Sequence, residues 1–394
     1  MTGYDAIVVG AGIAGTASAW FMRAEGLRVA LIDTHAPGWG ASGRNPGFLW
    51  LQTKAAGLAM DLSLDARRFA EGFAAERGDT SFRACGGLIL FRDAECLPVA
   101  RAFVADRCAA GLPVTLLDRA EVADMVPQIG PEVTGAVWNP ADAHQDTAGF
   151  VRRLAGDFVG AGGTLIAPAR VASLIVNGEV CRGVMLADGT RIEAAHTVLA
   201  TGPFGNDLLA PFNLKVPFRP VRFEAASTAP APFRLGPVLA GQALFRFYVP
   251  PGTDPATIPA DPVAALAPNL GFTEQMASLP DGRLLYGCAF AVDDARDHAS
   301  VAGQAISAIT CARNLPALAA LPVERVWAGS VAMTADSLPV IDAGAGPAGL
   351  ILNLGHWFGN LAGGWSGRQV ADLAMGKSPG RHVAALSRAR LTPP

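Results

Sequence analysis

Three glycines at G-x-G-x-x-G spacing, Gly10, Gly12 and Gly15, and an acid eighteen residues further on, Asp33, are suited to holding a phosphate-bearing ligand. Gly10 permits a tight strand-to-helix turn, Gly12 lets the backbone approach a pyrophosphate, and Gly15 lets helix and strand pack closely. A helix that begins at Ile13 and Ala14 aims unpaired N–H groups and a positive dipole end at the phosphates. Asp33, followed by Thr34, stands where a carboxylate accepts hydrogen bonds from an adenosine ribose. A second stretch, Thr34 to Trp50, is glycine-rich and expected to be non-helical. Its backbone N–H groups, the Ser42 hydroxyl and the Arg44 guanidinium are suited to phosphate oxygens, with a plain surface loop as the competing reading.

These residues need a frame. Apolar Ile7 to Val9 and the segment Arg28 to Ile32 read as strands, with Ile13 to Glu25 as the helix between them. Further helices are expected at Leu58–Arg77, Pro98–Ala110, Arg119–Pro127, Ala148–Gly160, Ala299–Asn314 and Ser366–Met375, and strands at Gly86–Arg92 and Gly135–Pro140. The segment Asp142–Thr147 caps the fourth of these helices, and His144 within it reads as structural rather than catalytic. Four segments, Gly163–Ala167, Ala169–Asn177, Val180–Ala187 and Arg191–Ala195, alternate like a small antiparallel meander. Thr197–Pro203 is an apolar strand ending in A-T-G. From Phe218 the texture changes to strands with proline breaks, including Ala243–Val249, and Phe272–Gly287 is a hairpin turned at Pro280-Asp281-Gly282. The proline-rich stretch 250–268 is either a lid or a surface excursion.

At 394 residues, 51% hydrophobic and 16% charged, the chain has the makings of a compact two-domain enzyme. A net charge of −3 without a basic cluster argues against a nucleic-acid partner. No apolar run is long enough for a membrane span, and a first strand starting at Tyr4 predicts no signal peptide. Six scattered cysteines read as reduced thiols of a cytoplasmic protein, and neither they nor the six histidines show metal-ligand spacing. A G-x-S-x-G elbow is absent, which disfavours a triad hydrolase.

G-A-G-I-A-G, an acid closing the second strand, then G-A-S-G-R-N-x-G-F, T-x-D-x-x-P-x-I at Thr334–Ile341 and G-H at Gly355-His356 resemble the D-amino-acid oxidase superfamily of FAD enzymes. That family includes glycine and sarcosine oxidases, D-amino-acid dehydrogenases and opine- and hydroxyproline-oxidising enzymes. The resemblance spans essentially the whole chain. It implies an α/β fold in which a Rossmann-type FAD-binding domain (1–82, 141–215 and 322–394) is interleaved with an antiparallel-sheet α+β substrate domain (83–140 and 216–321). It further implies that Ala41, Ser42, Arg44, Asn45, Gly47 and Phe48 contact FAD, that Val171 meets the adenine, and that Ala200, Gly202 and Gly329 pass close to the cofactor. Backbone N–H groups of the turn Gly355, His356, Phe358, Gly359, Asn360 and Leu361 would face the flavin and stabilise negative charge on it.

The implied reaction is oxidation of the C–N bond of an amino acid or secondary amine by hydride transfer to flavin N5, giving an imine that hydrolyses. Oxygen or another acceptor then takes the electrons. Two other readings stand beside it: the flavin subunit of a partner-dependent dehydrogenase complex, and an FAD monooxygenase, for which no second nicotinamide signature is seen. The chain departs from sarcosine-oxidase-like members in several places. Their substrate arginine past the second loop is replaced by a segment offering Trp50, Gln52 and Lys54. With Lys54, Lys215 and Lys377 as the only lysines, their two active-site lysines have no evident counterparts. Their flavin-linking cysteine is replaced by Gly329–Thr334, so FAD is expected to be noncovalent. Pocket candidates are His356, Tyr248, Glu274, Met276, Trp50 and Arg222. Glu274 is suited to a substrate ammonium or to solvent, Arg222 to a carboxylate or a structural pair, and Tyr248 and Met276 to the pocket or the core. Substrate, stereochemistry, electron acceptor and oligomeric state are not encoded in any of these motifs.

Overall fold

In the computed structural model, residues 3–79 and 81–391 are described. Tyr4–Val9 lies between Val29–Ile32 and Arg191–Leu199 and runs parallel to both. Thr164–Ile166 extends this sheet beyond Val29–Ile32, and Leu350–Leu354 extends it beyond Arg191–Leu199, again in parallel. An interior parallel strand is covered on both faces and must be apolar throughout. Accordingly Ala6 and Val8 pack with residues of helices Ile13–Ala24 and Gly359–Ala374, while Ile7 and Val9 pack with Leu174, Val184 and Leu209.

Val171–Asn177 and Val180–Leu186 form an antiparallel ribbon that continues into the start of Arg191–Leu199. The expectation that Gly163–Ala167 joins this meander is corrected, because Thr164–Ile166 pairs with Val29–Ile32 instead. It follows helix Thr147–Gly160, and a strand reached through a helical crossover returns parallel to the sheet. The last helix also starts earlier than expected, at Gly359. Its glycines are poor helix formers, yet they let it lie close against the first helix: a Cβ on Gly367 would collide with Ala17.

The second sheet has eight strands in the spatial order Val323–Thr334, Phe218–Pro230, Arg283–Val292, Gly271–Ser278, Val238–Gly241, Gly87–Phe91, Gly135–Asn139 and Thr115–Asp118. All its pairings are antiparallel except that of Val238–Gly241 with Gly87–Phe91. Val323–Thr334, which the sequence reading groups with segment 322–394, runs along the edge of this sheet. Phe48–Leu49, Ala143–Gln145 and Phe82–Arg83 make a small third sheet.

Two local expectations change. Ala41–Arg44 is one turn of α-helix inside the glycine-rich loop. Gln242–Arg246 is a 3-10 turn rather than part of a strand, with Phe245 fully buried against Phe103. Within 250–268 lie two further 3-10 turns, Pro255–Thr257 and Pro262–Leu266, capped by the side chains of Asp254 and Asp261. Among the described residues no helix is long and apolar enough to cross a membrane, and no cluster of metal-ligating side chains occurs.

Candidate active site

The C-terminal edge of the parallel sheet carries the first part of the site. Gly10 has a φ of +104°, and a Cβ there would lie 2.5 Å from the Ala200 carbonyl oxygen, so only glycine suits the position. A Cβ on Gly15 would collide with the Gly10 carbonyl. Over these glycines lies a cavity of about 590 Å³. Its lining includes Asp33, Thr34 and Val171, then Gly10, Gly12, Ile13, Ala14, Ala200 and Gly202, and also His356, Gly359 and Asn360. Ala41, Ser42 and Asn45 of the glycine-rich loop line it too.

Several groups here are suited to a dinucleotide. The first helix has no acid in its first turn, and its Ile13 N–H donates to Ser42 Oγ at 2.9 Å. Asp33 is positioned by the N–H groups of Ala11, at 2.6 Å, and His35, at 2.8 Å. Thr201 Oγ1 and His356 Nδ1, on residues that line the cavity, are buried polar atoms without a protein partner. An elongated cleft at the ends of parallel strands, with a helix N-terminus and orphaned polar atoms, fits a ligand of two nucleotides' length.

A second cavity, of about 410 Å³, shares Ala41, Asn45, Val331 and Asn360 with the first. Arg44, Phe48, Gly329 and Phe358 line this one rather than the groove. Gly15, Gly47, Gly355 and Leu361 line neither. Gly47 lies against the Gln145 carbonyl and Gly355 against Thr334.

Of the pocket candidates, Trp50 and Tyr248 line the second cavity and His356 lines the first. Trp50 donates from Nε1 to Gln275 Oε1 at 2.8 Å, joining the second loop to the hairpin. His356 Nε2 lies 2.7 Å from Asn353 Oδ1, and burial pushes its pKa down to about 4, so the ring is neutral at neutral pH. Burial raises Tyr248 to about 12, opposed by the Trp357 side chain at its hydroxyl.

Glu274, Met276 and Arg222 stand elsewhere. In a strand, neighbouring side chains face opposite ways. Thr273 and Gln275 face the cavity, so Glu274 and Met276 turn to the other side of the sheet. There Glu274 Oε2 accepts from Ala243 N at 3.1 Å and Oε1 lies 3.5 Å from Arg92, while burial raises its carboxyl to about 7. Met276 is fully buried with Leu239 and Tyr286. Arg222 pairs with Glu224 and with Asp294, at 2.8 Å from the latter, and Glu224 also accepts from Ser300 at the start of helix Val301–Asn314. That network ties sheet to helix.

The sequence reading did not single out Thr273, Gln275, Phe223, Phe290 or Trp357, all of which line the second cavity. Strand alternation carried the signal for the first two, lacking only a reference to say which face is inward. Beneath the second loop sits Asp142, fully buried, accepting from Leu51 N at 2.6 Å, Gln52 Nε2 at 2.5 Å and Asn139 Nδ2 at 2.8 Å. Burial raises its pKa to about 7, these hydrogen bonds opposing the rise. Asp142 therefore turns Gln52 away from the cavity, while Trp50 and Lys54 face it. His144, in the same turn, places Nε2 3.0 Å from the Pro46 carbonyl oxygen and lines neither cavity.

A family model described as FAD dependent oxidoreductase matches residues 5–373. Among solved structures, glycine oxidase from Geobacillus kaustophilus superposes with a TM-score of 0.84 at 22% identity, covering 99% of this chain and 98% of that one. L-proline dehydrogenase from P. horikoshii gives 0.81 at 21% identity, over 98% and 97% of the two chains. Iminodiacetate oxidase from a Chelativorans species gives 0.79 at 19% identity, over 97% and 98%.

Proposed function

Because the chain belongs to the FAD-dependent oxidoreductase family, we propose that it oxidises the C–N bond of an amino acid or secondary amine. One observation carries this reading: the dinucleotide-sized groove and the aromatic cavity share four lining residues, so a substrate in the second lies beside a cofactor in the first. FAD supplies a two-electron acceptor for the hydride that leaves the carbon next to nitrogen. The nitrogen lone pair then closes an imine, which water hydrolyses to a carbonyl compound and an amine or ammonia.

The chain's own residues bind, orient and shield. Gly10, Gly12 and the start of the first helix would hold the pyrophosphate, Asp33 the ribose, and Asn360 and Gly359 the flavin end. No carboxylate or imidazole lines the second cavity among the described residues, and Lys54 is the basic amine there. Its walls favour the neutral amine, the form whose lone pair the reaction needs.

In this reading FAD is noncovalent, since no cysteine lines the larger cavity among the described residues. Segments 1–82, 141–215 and 322–394 serve the cofactor and 83–140 and 216–321 the substrate. Six unpaired thiols support a reducing, cytoplasmic setting. The test is anaerobic titration of the yellow holoprotein with D- and L-amino acids, N-methyl amino acids and opines. Bleaching by one class supports the reading, and readmitted air separates oxidase from dehydrogenase. Bleaching by NAD(P)H alone would replace it with a monooxygenase or reductase.

A further inference from the structure

Among the described residues Lys54 is the one amine lining the second cavity. Its Nζ stands over the Phe358 ring, 3.1 Å from the centroid. Phe358 directly precedes Gly359 and Asn360, which line the groove, and Asn360 lines both cavities. Asn360 Nδ2 donates to the Phe48 carbonyl at 2.6 Å, tying the segment that leads to Lys54 to this turn. Lys54 therefore faces the junction of the two cavities, where a C–N bond has to lie to reach a flavin in the groove.

The amine is held there without a counter-ion. Lys54 is 2% exposed, and Nζ donates to Thr53 Oγ1 at 3.0 Å. Lys377 pairs with Glu25 at 2.6 Å, whereas Lys54 pairs with no acid among the described residues. Asp142, the carboxylate whose field it feels, spends its oxygens on Leu51 N, Gln52 Nε2 and Asn139 Nδ2. A buried ammonium without a partner is costly, and burial holds Lys54 well below the usual lysine range, Asp142 opposing and Arg107 adding to the fall. Of the other ionisable groups lining the cavity, Arg44 lies 3.6 Å from Asp297. Burial raises both Tyr248 and Cys288 to about 12, so they keep their protons at neutral pH. The resting Lys54 amine is thus neutral, with a lone pair. A proton that reaches it makes an ammonium that the Phe358 ring face and the Asp142 field stabilise.

An alkylamine resembles the lysine side chain, with an ordinary pKa of about 10.4, and arrives at neutral pH almost wholly as an ammonium without a lone pair. Resting on the amine-oxidising reading, we propose that Lys54 is the base that prepares the substrate. Nζ takes one proton from the substrate ammonium, and the N–H bonding pair stays on the substrate nitrogen as the lone pair that closes the imine. Lys54 returns the proton to water once the product leaves. A permanent positive charge cannot do this, so arginine is no substitute at the position.

Lysine 13Cε signals of the FAD-loaded protein read the state of the amine without turnover. The chain has three lysines, and Lys215 and Lys377 are exposed, so Lys215→Arg and Lys377→Arg assign the Lys54 signal by elimination. Lys54 is expected to lose its proton well below the usual lysine range, and a Lys54 that stays charged up to that range overturns the proposal. This measurement stands if variants at 54 do not fold. Anaerobic stopped-flow then compares N-benzylglycine, an ammonium at neutral pH, with N-phenylglycine, whose aryl-bound nitrogen is already neutral. Lys54→Met is expected to slow flavin reduction by N-benzylglycine at pH 7 at least about tenfold, and N-phenylglycine by no more than about twofold. The gap for N-benzylglycine should close as pH rises past the probe's own pKa. Lys54→Arg is expected to match Lys54→Met. An equal effect on both probes, or full activity in Lys54→Arg, overturns the base and leaves amine oxidation standing. A flavin that neither probe nor any amine of the panel reduces, in a protein whose Lys54 is neutral, overturns the amine reading instead.

Discussion

Trp50 and Gln275, 225 residues apart in the chain, meet through one hydrogen bond of 2.8 Å from the indole N–H to the amide oxygen. Gln275 Nε2 in turn donates to Thr273 Oγ1 at 2.7 Å, so the loop beside the groove and the hairpin across the cavity share one polar chain. Trp50→Phe keeps the ring and removes the donor. It is expected to cost about 1 kcal/mol of stability, and Gln275→Leu to cost a similar amount. The double variant should lose less than the sum, which a denaturant double-mutant cycle measures.

Asp142 holds the segment that presents Trp50 and Lys54. Asp142→Asn keeps the shape but has one acceptor oxygen for several donors, and a loss of about 2–4 kcal/mol is expected. The carboxyl is raised in the fold to about 7 from an ordinary 3.8. Its protonated form is favoured by folding, so this contribution is fully present below 3.8 and is lost as pH rises towards 7. The gap between wild type and variant should therefore narrow over that interval, as urea titrations at several pH values would show.

His356 has the opposite slope. Its pKa falls from an ordinary 6.5 to about 4, so its contribution is present above 6.5 and is lost as pH falls through that window. His356→Gln is expected to flatten the acid side of the stability profile by an amount on the order of 1–3 kcal/mol. Unfolding of the apoprotein above pH 6.5 and near pH 4 tests it.

Arg222→Met separates architecture from recognition. Removing the guanidinium leaves Glu224 buried without its cation, at a cost of about 3–5 kcal/mol. Since Arg222 lines neither cavity, ligand affinity of the folded protein should stay within about twofold. A large loss of affinity without loss of stability would return Arg222 to the carboxylate site.

Gly10→Ala puts a methyl group against the Ala200 carbonyl at a backbone angle that disfavours it. The expected cost is about 1–3 kcal/mol, with protein that purifies colourless. Retention of yellow flavin would count against the groove.

What was readable in the sequence is what depends on neighbours along the chain. The turn at Gly10–Gly15, the acid after Ile32 and the hairpin at Pro280–Gly282 are local geometry, and each appears where turn chemistry places it. Arg191–Ala195 and Thr197–Pro203 are likewise local patterns, and the structure joins the first to the start of the second in one strand, Arg191–Leu199. Features set by distant partners were not readable. The turn Gln242–Arg246 reads as a strand until Phe245 is seen to bury itself against Phe103. Lys54 reads as one of three candidates in its segment, and nothing nearby announces that it will be buried within the field of Asp142 and Arg107. The fate of Arg222 depends on Asp294 and Ser300, some seventy residues away.

The strand Gly271–Ser278 presents Thr273 and Gln275 to the cavity and Glu274 and Met276 to the interior. Heredity can therefore act on its two sides separately. Substitutions at the odd positions alter what the cavity prefers and leave the interior packing in place, so new preferences are reachable by single steps through foldable intermediates. Substitutions at the even positions endanger folding before they touch preference. A mutational library confined to 273 and 275 should return many active clones with altered selectivity, and one confined to 274 and 276 few clones of any kind.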